Sequence, residues 1–209
     1  MYSNNCCCTP PPRRDYCSCK EGITCALDWF YQDLLSSGSS SIVPGSLKYY
    51  PKLDNIKNTI YAIAFISPDI VPIYIDSTDP ATSNLTYLSL CKISGFEFQL
   101  SDSYKIAKEN DIISRFSKIC YTSPNSCCKT GLLEYLLKTN QFLTDNTATK
   151  PVAIISVSDN LNFTIDTILA INKDTVWAKR TITGPPISTT YYVVSLCEII
   201  GITLNKTSV

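Results

Sequence analysis

Residues 89–95 read Ser-Leu-Cys-Lys-Ile-Ser-Gly, and residues 195–201 read Ser-Leu-Cys-Glu-Ile-Ile-Gly. The two blocks are separated by 106 residues. Similarity at a fixed period is the signature of an internal repeat, provided that other blocks recur at the same period. This pair therefore predicts that the second half of the chain repeats the first.

Two further pairs of blocks recur in the same order. Residues 17–23 read CSCKEGI and correspond to residues 126–132, which read SCCKTGL. Residues 62–71 correspond to residues 167–176. The separations of 109 and 105 residues are close to that of the first pair. Three matches in register predict two tandem copies of one unit.

The chain accordingly divides into an N-terminal arm, residues 1–14, and two repeat units, residues 15–120 and 121–209. Each unit is predicted to be a helix followed by an antiparallel β-meander, which makes the fold class α+β and β-rich. A short meander has exposed edges, so we expect the two units to pack as a sandwich or as one continuous sheet. Any strand edge left over is a site for pairing with another subunit.

The helix of each unit follows the Cys-Lys-x-Gly block. In the first unit, the apolar side chains at helical spacing are Ile23, Ala26, Leu27, Phe30, Tyr31 and Leu34. In the second unit, the counterparts are Leu132, Tyr135, Leu136 and Leu143. A further helix is predicted within residues 102–119, capped by Asp102 or Ser103, with Ile106, Ile113 and Phe116 on one face.

The strands are predicted from runs of Ile, Val, Tyr and Thr. Residues 67–69 (Ser-Pro-Asp) and 172–174 (Asn-Lys-Asp) are typical hairpin turns. Asp79-Pro80 and residues 184–186 mark a second reversal in each unit. The Ser-Leu-Cys block is predicted to lie in the long last strand. The apolar residues 152–165 have no clear counterpart in the first unit.

Composition argues against several classes of function. Lys and Arg number 18, as do Asp and Glu, so a zero net charge gives no electrostatic attraction to nucleic acid. The absence of histidine excludes Ser-His-Asp and Cys-His triads and His-bearing zinc sites. We expect a protein without enzymatic activity and without a cofactor. No stretch reaches the ~18 apolar residues of a membrane span.

The 11 cysteines indicate an oxidising final location, because reducing cytosol keeps thiols reduced. The first residues, Met-Tyr-Ser-Asn-Asn, lack the basic and apolar regions of a signal peptide. We therefore expect synthesis in a cytoplasm and oxidation later. An odd number of cysteines leaves at least one thiol for another chain, a metal or a free state.

Three of these cysteines, Cys6, Cys7 and Cys8, lie on the N-terminal arm before Pro10-Pro11-Pro12. The proline run favours an extended backbone at ~3 Å per residue. Adjacent cysteines rarely bond to each other. The arm is interpreted as a covalent tether between subunits, against the alternative of a disordered tail with incidental thiols.

Four others, Cys17, Cys19, Cys127 and Cys128, occupy equivalent positions of the two units. They are interpreted as cross-link acceptors or as intra-chain disulfides. A four-thiolate metal site is the alternative, but C-x-C and C-C fit it less well than C-x₂-C does. Free thiols are the third possibility.

Two cysteines lie at matching positions within the predicted last strands, Cys91 and Cys197. They are interpreted as small core residues. Asp28 with Asp33, and Asp76 with Asp79, are interpreted as solvated surface acids and not as catalytic pairs.

The cysteine blocks resemble those of endospore-surface proteins of Clostridium- and Bacillus-type bacteria, which form coat, exosporium or appendages. These proteins open with clustered cysteines, continue with a Cys-Lys-x-Gly helix like that after Cys17, and carry Ser-Leu-Cys-x-Ile motifs like Ser89–Ile93 and Ser195–Ile199. The arm is similar to the N-terminal connector of appendage subunits, whose cysteines cross-link to the next subunit. Those subunits are shorter single jelly rolls.

The resemblance implies a self-assembling structural subunit of a spore-surface fibre, ribbon or lattice, made in the mother cell and exposed when that cell lyses. Its partners would be further copies of itself and other spore-surface proteins, with Cys6, Cys7 and Cys8 as cross-link donors. The alternative is a non-enzymatic binding module, a minor capsid protein or adhesin, that has internal disulfides only.

Overall fold

The computed structural model describes most of the chain. The described residues are 20–35, 40–52, 57–66, 69–76, 84–117, 127–145, 151–158, 161–172 and 175–205. The predicted arm, with Cys6, Cys7 and Cys8, lies outside them, as do Cys17 and Cys19.

The described part of the chain has an α+β fold, as predicted. Its helices are α1 Lys20–Leu35, α2 Lys105–Phe116 and α3 Cys127–Asp145. The strands of the first half are β1 Lys48–Pro51, β2 Asn58–Thr59, β3 Ala62–Ile63, β4 Ile70–Tyr74, β5 Leu85–Ser89 and β6 Ile93–Phe98. Those of the second half are β7 Val152–Ser158, β8 Leu161–Ile165, β9 Thr167–Ile171, β10 Thr175–Ile182, β11 Ser188–Ser195 and β12 Gly201–Asn205.

The strands form one large sheet and two small ones, and the strand pairs described in them are antiparallel. The large sheet has the order β2-β1-β6-β11-β10-β9 and draws three strands from each half of the chain. The small sheets have the orders β3-β4-β5 and β12-β7-β8. The large sheet therefore runs continuously across the two halves of the chain.

Each face of the large sheet is covered by its own hydrophobic core, because side chains alternate along a strand. Trp177 of β10 lies in a core with α1 and the β3-β4-β5 sheet. Its neighbours Val176 and Ala178 lie in the other core, with α3 and the β12-β7-β8 sheet. The first core takes residues from both halves, so the halves share an interior.

The helix predicted in the first half is confirmed. Ile23, Ala26, Leu27 and Phe30 are buried, and Tyr31 and Leu34 pack at the edge of the same core. In α3, Leu136 and Leu143 are buried and Leu132 is half-buried, but the prediction for Tyr135 is wrong because that side chain is 57% exposed.

The helix predicted between the halves is also present, as α2, but its cap and its face differ. Tyr104 is the N-cap, and no side chain of the described residues caps the helix there. Ile112 and Phe116 are the buried residues, whereas Ile106 is 77% exposed. The inward face of α2 includes a polar residue, Asp111, which accepts a hydrogen bond from Trp29 Nε1 at 2.8 Å. The spacing of apolar residues alone therefore indicated a different face.

The hairpins β3-β4, β9-β10 and β10-β11 pair as predicted. Residues 67–68 and 173–174 of the predicted turns, and Asp79-Pro80, lie outside the described residues. The strand registers of the two halves also correspond. Ile63 opposes Ile73 in the first half, and Ile168 opposes Ala178 in the second.

The apolar residues 152–165 prove to have a structural counterpart. They form β7 and β8, which pair with β12 as β1 and β2 pair with β6. Ser156 opposes Gly201, and Tyr50 opposes Gly95. The sequence gives no clear match for these strands, because they agree in pairing and register and not in residue type.

Candidate functional site

The two halves of the chain meet where β6 pairs with β11. Tyr191 opposes Phe98, Val193 opposes Phe96, and Val194 opposes Gly95. Every residue of β6 is buried. This pairing converts two three-stranded sheets into one of six strands and removes both edges from solvent.

Gly95 allows the two backbones of this pairing to approach closely. A Cβ atom at this position would lie 2.3 Å from the carbonyl oxygen of Val193. Real Cβ atoms do not come so close to a backbone atom, and glycine in a strand commonly marks such an approach. The pairing therefore requires glycine at position 95.

Aromatic and polar contacts cover the pairing on the α1 side. The ring of Tyr191 stacks on that of Phe98, with ring centroids 5.2 Å apart. The Tyr191 hydroxyl donates a 2.6 Å hydrogen bond to Glu109 Oε1 of α2. Burial and this carboxylate raise the pKa of Tyr191 above its ordinary value, so its hydroxyl remains a donor.

Glu109 also binds the second half of the chain through a lysine. The Lys179 Nζ of β10 donates to both carboxylate oxygens of Glu109, each at 2.8 Å. Lys105 Nζ donates to Thr189 Oγ1 at 2.7 Å. Helix α2 thus links the first half of the chain to the second through polar contacts.

A buried carboxylate, Glu97, lies on β6 beside the pairing. It accepts hydrogen bonds from Lys57 Nζ at 2.8 Å and from the Tyr50 hydroxyl, and Lys48 Nζ lies 3.3 Å away. Burial alone would raise the pKa of Glu97, but the hydrogen bonds from Lys57 and Tyr50 outweigh it and lower that pKa. These contacts give Glu97 a structural role.

Asp33 is not the solvated surface acid that the sequence suggested. It is 3% exposed. Its carboxylate accepts hydrogen bonds from Ser40 Oγ and from the Ser41 backbone N–H, and it forms an ion pair with Lys108 Nζ at 2.6 Å. Burial would raise the pKa of Asp33, but the Lys108, Ser41 and Ser40 contacts lower it overall. Asp28 and Asp76 are exposed, and Asp79 lies outside the described residues.

Four strands of the small sheets have a described neighbour on one side only, β3, β5, β8 and β12, and two of them, β5 and β12, carry exposed large apolar side chains. On β5, Leu85 is 43% exposed and Tyr87 is 65% exposed. Beside β12, Ile200 is 66% exposed, and Leu204 within the strand is 39% exposed. Large apolar side chains on an unpaired strand edge are typical of an interaction site.

A depression of about 350 Å³ accompanies the β12 edge. It is lined by Leu132 and Tyr135 of α3 and by residues 199–202. The depression has both polar and apolar surface and is open to solvent, so a side chain from another molecule can enter it.

The cysteines of the Ser-Leu-Cys blocks differ from their predicted setting. Strands β5 and β11 end at Ser89 and Ser195, and the cysteines lie in short 3₁₀ helices, Leu90–Lys92 and Leu196–Glu198. The leucine is the buried residue of each of these 3₁₀ helices. Cys91 and Cys197 are both disulfide-bonded, so their interpretation as small core residues is wrong.

The other described cysteines lie on helices. Cys127 and Cys128 form the first turn of α3, and their side chains are outside the described part. Cys25 is exposed on α1, where its sulfur is a thiol. The predicted sets Cys6–Cys8 and Cys17/Cys19 are not among the described residues.

The described part of the chain lacks two features, a cluster of metal ligands and a membrane-spanning helix. Its side chains include no group of three or more His, Cys, Asp or Glu placed to hold a metal ion. None of its helices is both long and apolar enough to cross a membrane.

Comparison of the chain with protein-family models, curated proteins and solved structures finds no match in any of the three. Sequence reasoning had missed the glycine-dependent pairing of β6 with β11. A signal was present, because both Ser-Leu-Cys blocks end in glycine, Gly95 and Gly201.

Proposed function

We propose that this protein is a self-assembling structural subunit of a bacterial spore-surface fibre, ribbon or lattice. The observation that carries the proposal is that two of the open strand edges, β5 and β12, have large apolar side chains exposed on or beside them. Strand edges associate with other chains through backbone hydrogen bonds, and apolar side chains add affinity. A zero net charge does little to oppose self-association.

The proposal includes a tandem duplication. What supports it is the agreement between the three sequence matches and the strand registers of the two halves. Both halves also end a strand at a serine and continue into a 3₁₀ helix with a buried leucine. A duplicated subunit carries two equivalent sets of surfaces.

Covalent locking by the N-terminal arm is the second part of the proposal. Cys6, Cys7 and Cys8 are the donors, and Cys17, Cys19, Cys127 and Cys128 are the acceptors or form disulfides within the chain. The disulfide-bonded state of Cys91 and Cys197 supports an oxidised final location. Disulfides across subunits slow dissociation and unfolding.

The location at the spore surface rests on the resemblance of the cysteine blocks. It accounts for the abundance of cysteines in the chain. The chain would act without catalysis and without a cofactor, and it would bind copies of itself and neighbouring spore-surface proteins, not nucleic acid.

The test is electron microscopy of the recombinant full-length chain, with denaturing gels run with and without reductant. We expect ordered fibres or lattices whose gel ladder withstands boiling and collapses to monomer on reduction. Deletion of residues 2–14, or serine at Cys6, Cys7 and Cys8 together, should abolish the ladder. Cys25→Ser, on exposed helix surface, is the matched control and should preserve it.

A monodisperse monomer whose gel position does not depend on reductant would refute the proposal. It would favour the alternative, a binding module such as a minor capsid protein or adhesin with internal disulfides only.

A further inference from the structure

The unpaired edges of the two halves are not the same, although their strand orders correspond. Strands β2 and β8 correspond and are both edges, and β3 and β9 likewise. In contrast, β6 is paired with β11, whereas their counterparts β12 and β5 have no such neighbour in the described part of the chain. The edges of β5 and β12 are therefore the two that are open where their counterparts are paired.

Side chains are buried on the paired strands and exposed at the corresponding positions of the open strands. Tyr191 and Val193 of β11 are 1% and 0% exposed, and their counterparts on β5 are Leu85 and Tyr87, at 43% and 65%. Phe98 of β6 is fully buried, and its counterpart, Leu204 of β12, is 39% exposed. Apolar residues are retained at positions that are buried in one half and open in the other.

Gly201 provides independent support. Its counterpart, Gly95, is needed because a Cβ there would meet the Val193 carbonyl oxygen at 2.3 Å. At Gly201 a Cβ would meet nothing within 4 Å. Gly201 begins β12, and among the described residues it leaves room for a backbone of another molecule to approach as closely as Val193 approaches Gly95.

The depression beside β12 fits the side chain that such a backbone would bring. Val193 lies in the same buried cluster as Ile23, Ala26, Ile93 and Phe96. The counterparts of these four residues, Leu132, Tyr135, Ile199 and Ile202, line the open depression. The counterpart of Val193 is Tyr87, whose ring is exposed and available to fill it.

We propose that β12 of one copy of this chain pairs with β5 of the next, repeating between chains the β6–β11 pairing within the chain. Carrying over the internal register places Tyr87 opposite Ile202 and Leu85 opposite Leu204. Gly201 then faces Leu88, with the Tyr87 carbonyl closest to its Cα. This inference rests on the proposed function, since it assigns the interface through which the subunits associate.

The pairing joins two different surfaces, so it does not close on itself in a dimer. Each added chain buries one β5 edge and one β12 edge and presents a new one of each. Heterologous contacts of this kind generate a ring or an open filament.

The first test replaces one residue on each edge of the full-length chain. Gly201→Val places a branched side chain where the incoming carbonyl would lie, and Tyr87→Glu places a carboxylate against the Leu132, Ile199 and Ile202 side chains of the depression. Either should raise the concentration needed for assembly by about tenfold or more. Ile187→Glu is the matched control, because Ile187 is 73% exposed in the β10–β11 turn and should leave assembly unchanged.

The second test mixes the two edge variants. Gly201→Val keeps a functional β5 edge, and Tyr87→Glu keeps a functional β12 edge, so each alone should remain a monomer in sedimentation analysis at a concentration below its raised assembly threshold. Together they should form heterodimers and nothing larger. A benzoylphenylalanine at position 87 of the otherwise native chain should cross-link to residues 199–204 of another chain, as mapped by mass spectrometry.

The outcomes separate this inference from the proposed function. If the native chain assembles and both edge variants assemble equally well with unchanged far-ultraviolet circular dichroism, the strand pairing is wrong but the structural role stands. If position 87 cross-links elsewhere in an assembled fibre, the same conclusion follows. If the native chain remains monomeric at every concentration, both the interface and the role are overturned.

Discussion

Gly95 is the residue on which the junction of the two halves depends. We expect Gly95→Val to lower the free energy of unfolding by about 3 kcal/mol or more, because the backbones of β6 and β11 must separate to admit the side chain. Gly201→Val, in open space, should change it by at most about 0.5 kcal/mol. Urea unfolding of both variants checks this, and equal losses would contradict it.

Asp33 makes stability depend on pH in a defined direction. Its pKa in the folded chain is lowered, so its contribution is present above the ordinary carboxyl pKa of about 4 and is lost as pH falls through the folded value. Asp33→Asn should cost about 2–3 kcal/mol at pH 7 and should flatten the loss of stability between about pH 5 and 3.

The control for this prediction is Asp28→Asn, which alters an exposed carboxylate on the same helix. Thermal unfolding at pH 7, 5, 4 and 3 distinguishes the variants. Because Glu97 also has a lowered pKa, some acid sensitivity should persist in Asp33→Asn. An unchanged pH profile for Asp33→Asn would show that its carboxylate contributes nothing.

At the scale of single residues, the sequence predicts which side chains are apolar and periodic, but not which charges are buried. Asp33 reads as an ordinary surface acid because its partners are eight residues along the chain and on another helix, Ser41 and Lys108. Hydrogen-bond partners distant in sequence leave no local pattern, so the burial of Asp33 could not be predicted.

At the scale of elements, α1 is the helix whose apolar face organises the first core. Phe30 is fully buried and contacts Phe96, Phe98 and Trp177, with ring centroids 5.1–6.1 Å apart. Phe30→Ala should therefore cost about 3–5 kcal/mol. Leu35→Ala, at a 57% exposed position of the same helix, should cost about 0.5 kcal/mol or less. Guanidinium unfolding compares the two, and similar midpoints would contradict the assignment of this face.

The sequence predicts α1 well because its apolar residues recur at helical spacing on one face. It predicts α2 less well, since that helix lies between the halves and binds them partly through polar groups, Glu109 and Asp111. Strands β1 and β2 escape prediction because they are four and two residues long. Their counterparts, β7 and β8, differ in residue type, so no sequence match reveals them.

At the scale of the whole molecule, the shared core predicts that the two halves unfold together. Trp29 of the first half and Trp177 of the second pack edge to face, with ring centroids 5.7 Å apart. Urea transitions followed by tryptophan fluorescence and by far-ultraviolet circular dichroism should coincide, measured on a chain kept monomeric by Gly201→Val. Two separate transitions would show that the halves are independent domains.

The interaction surfaces of the whole molecule are the features that the sequence predicts least directly. A short meander predicts that some strand edges stay unpaired. Which strands carry those edges depends on how the two halves of the chain join. That join depends on β6 meeting β11, a contact between residues nearly one hundred positions apart. The repeat is visible in the sequence, and the difference between its two copies becomes visible in three dimensions.

The β6–β11 pairing lies within one polypeptide, and this has a consequence for the durability of a polymer of such chains. Along the filament, joints inside a chain would alternate with joints between chains. The joints inside a chain cannot be lost by dilution, because their two strands are permanently tethered. Only every second joint would be reversible, and a filament of a given length would need half as many collisions to grow as one built from single units.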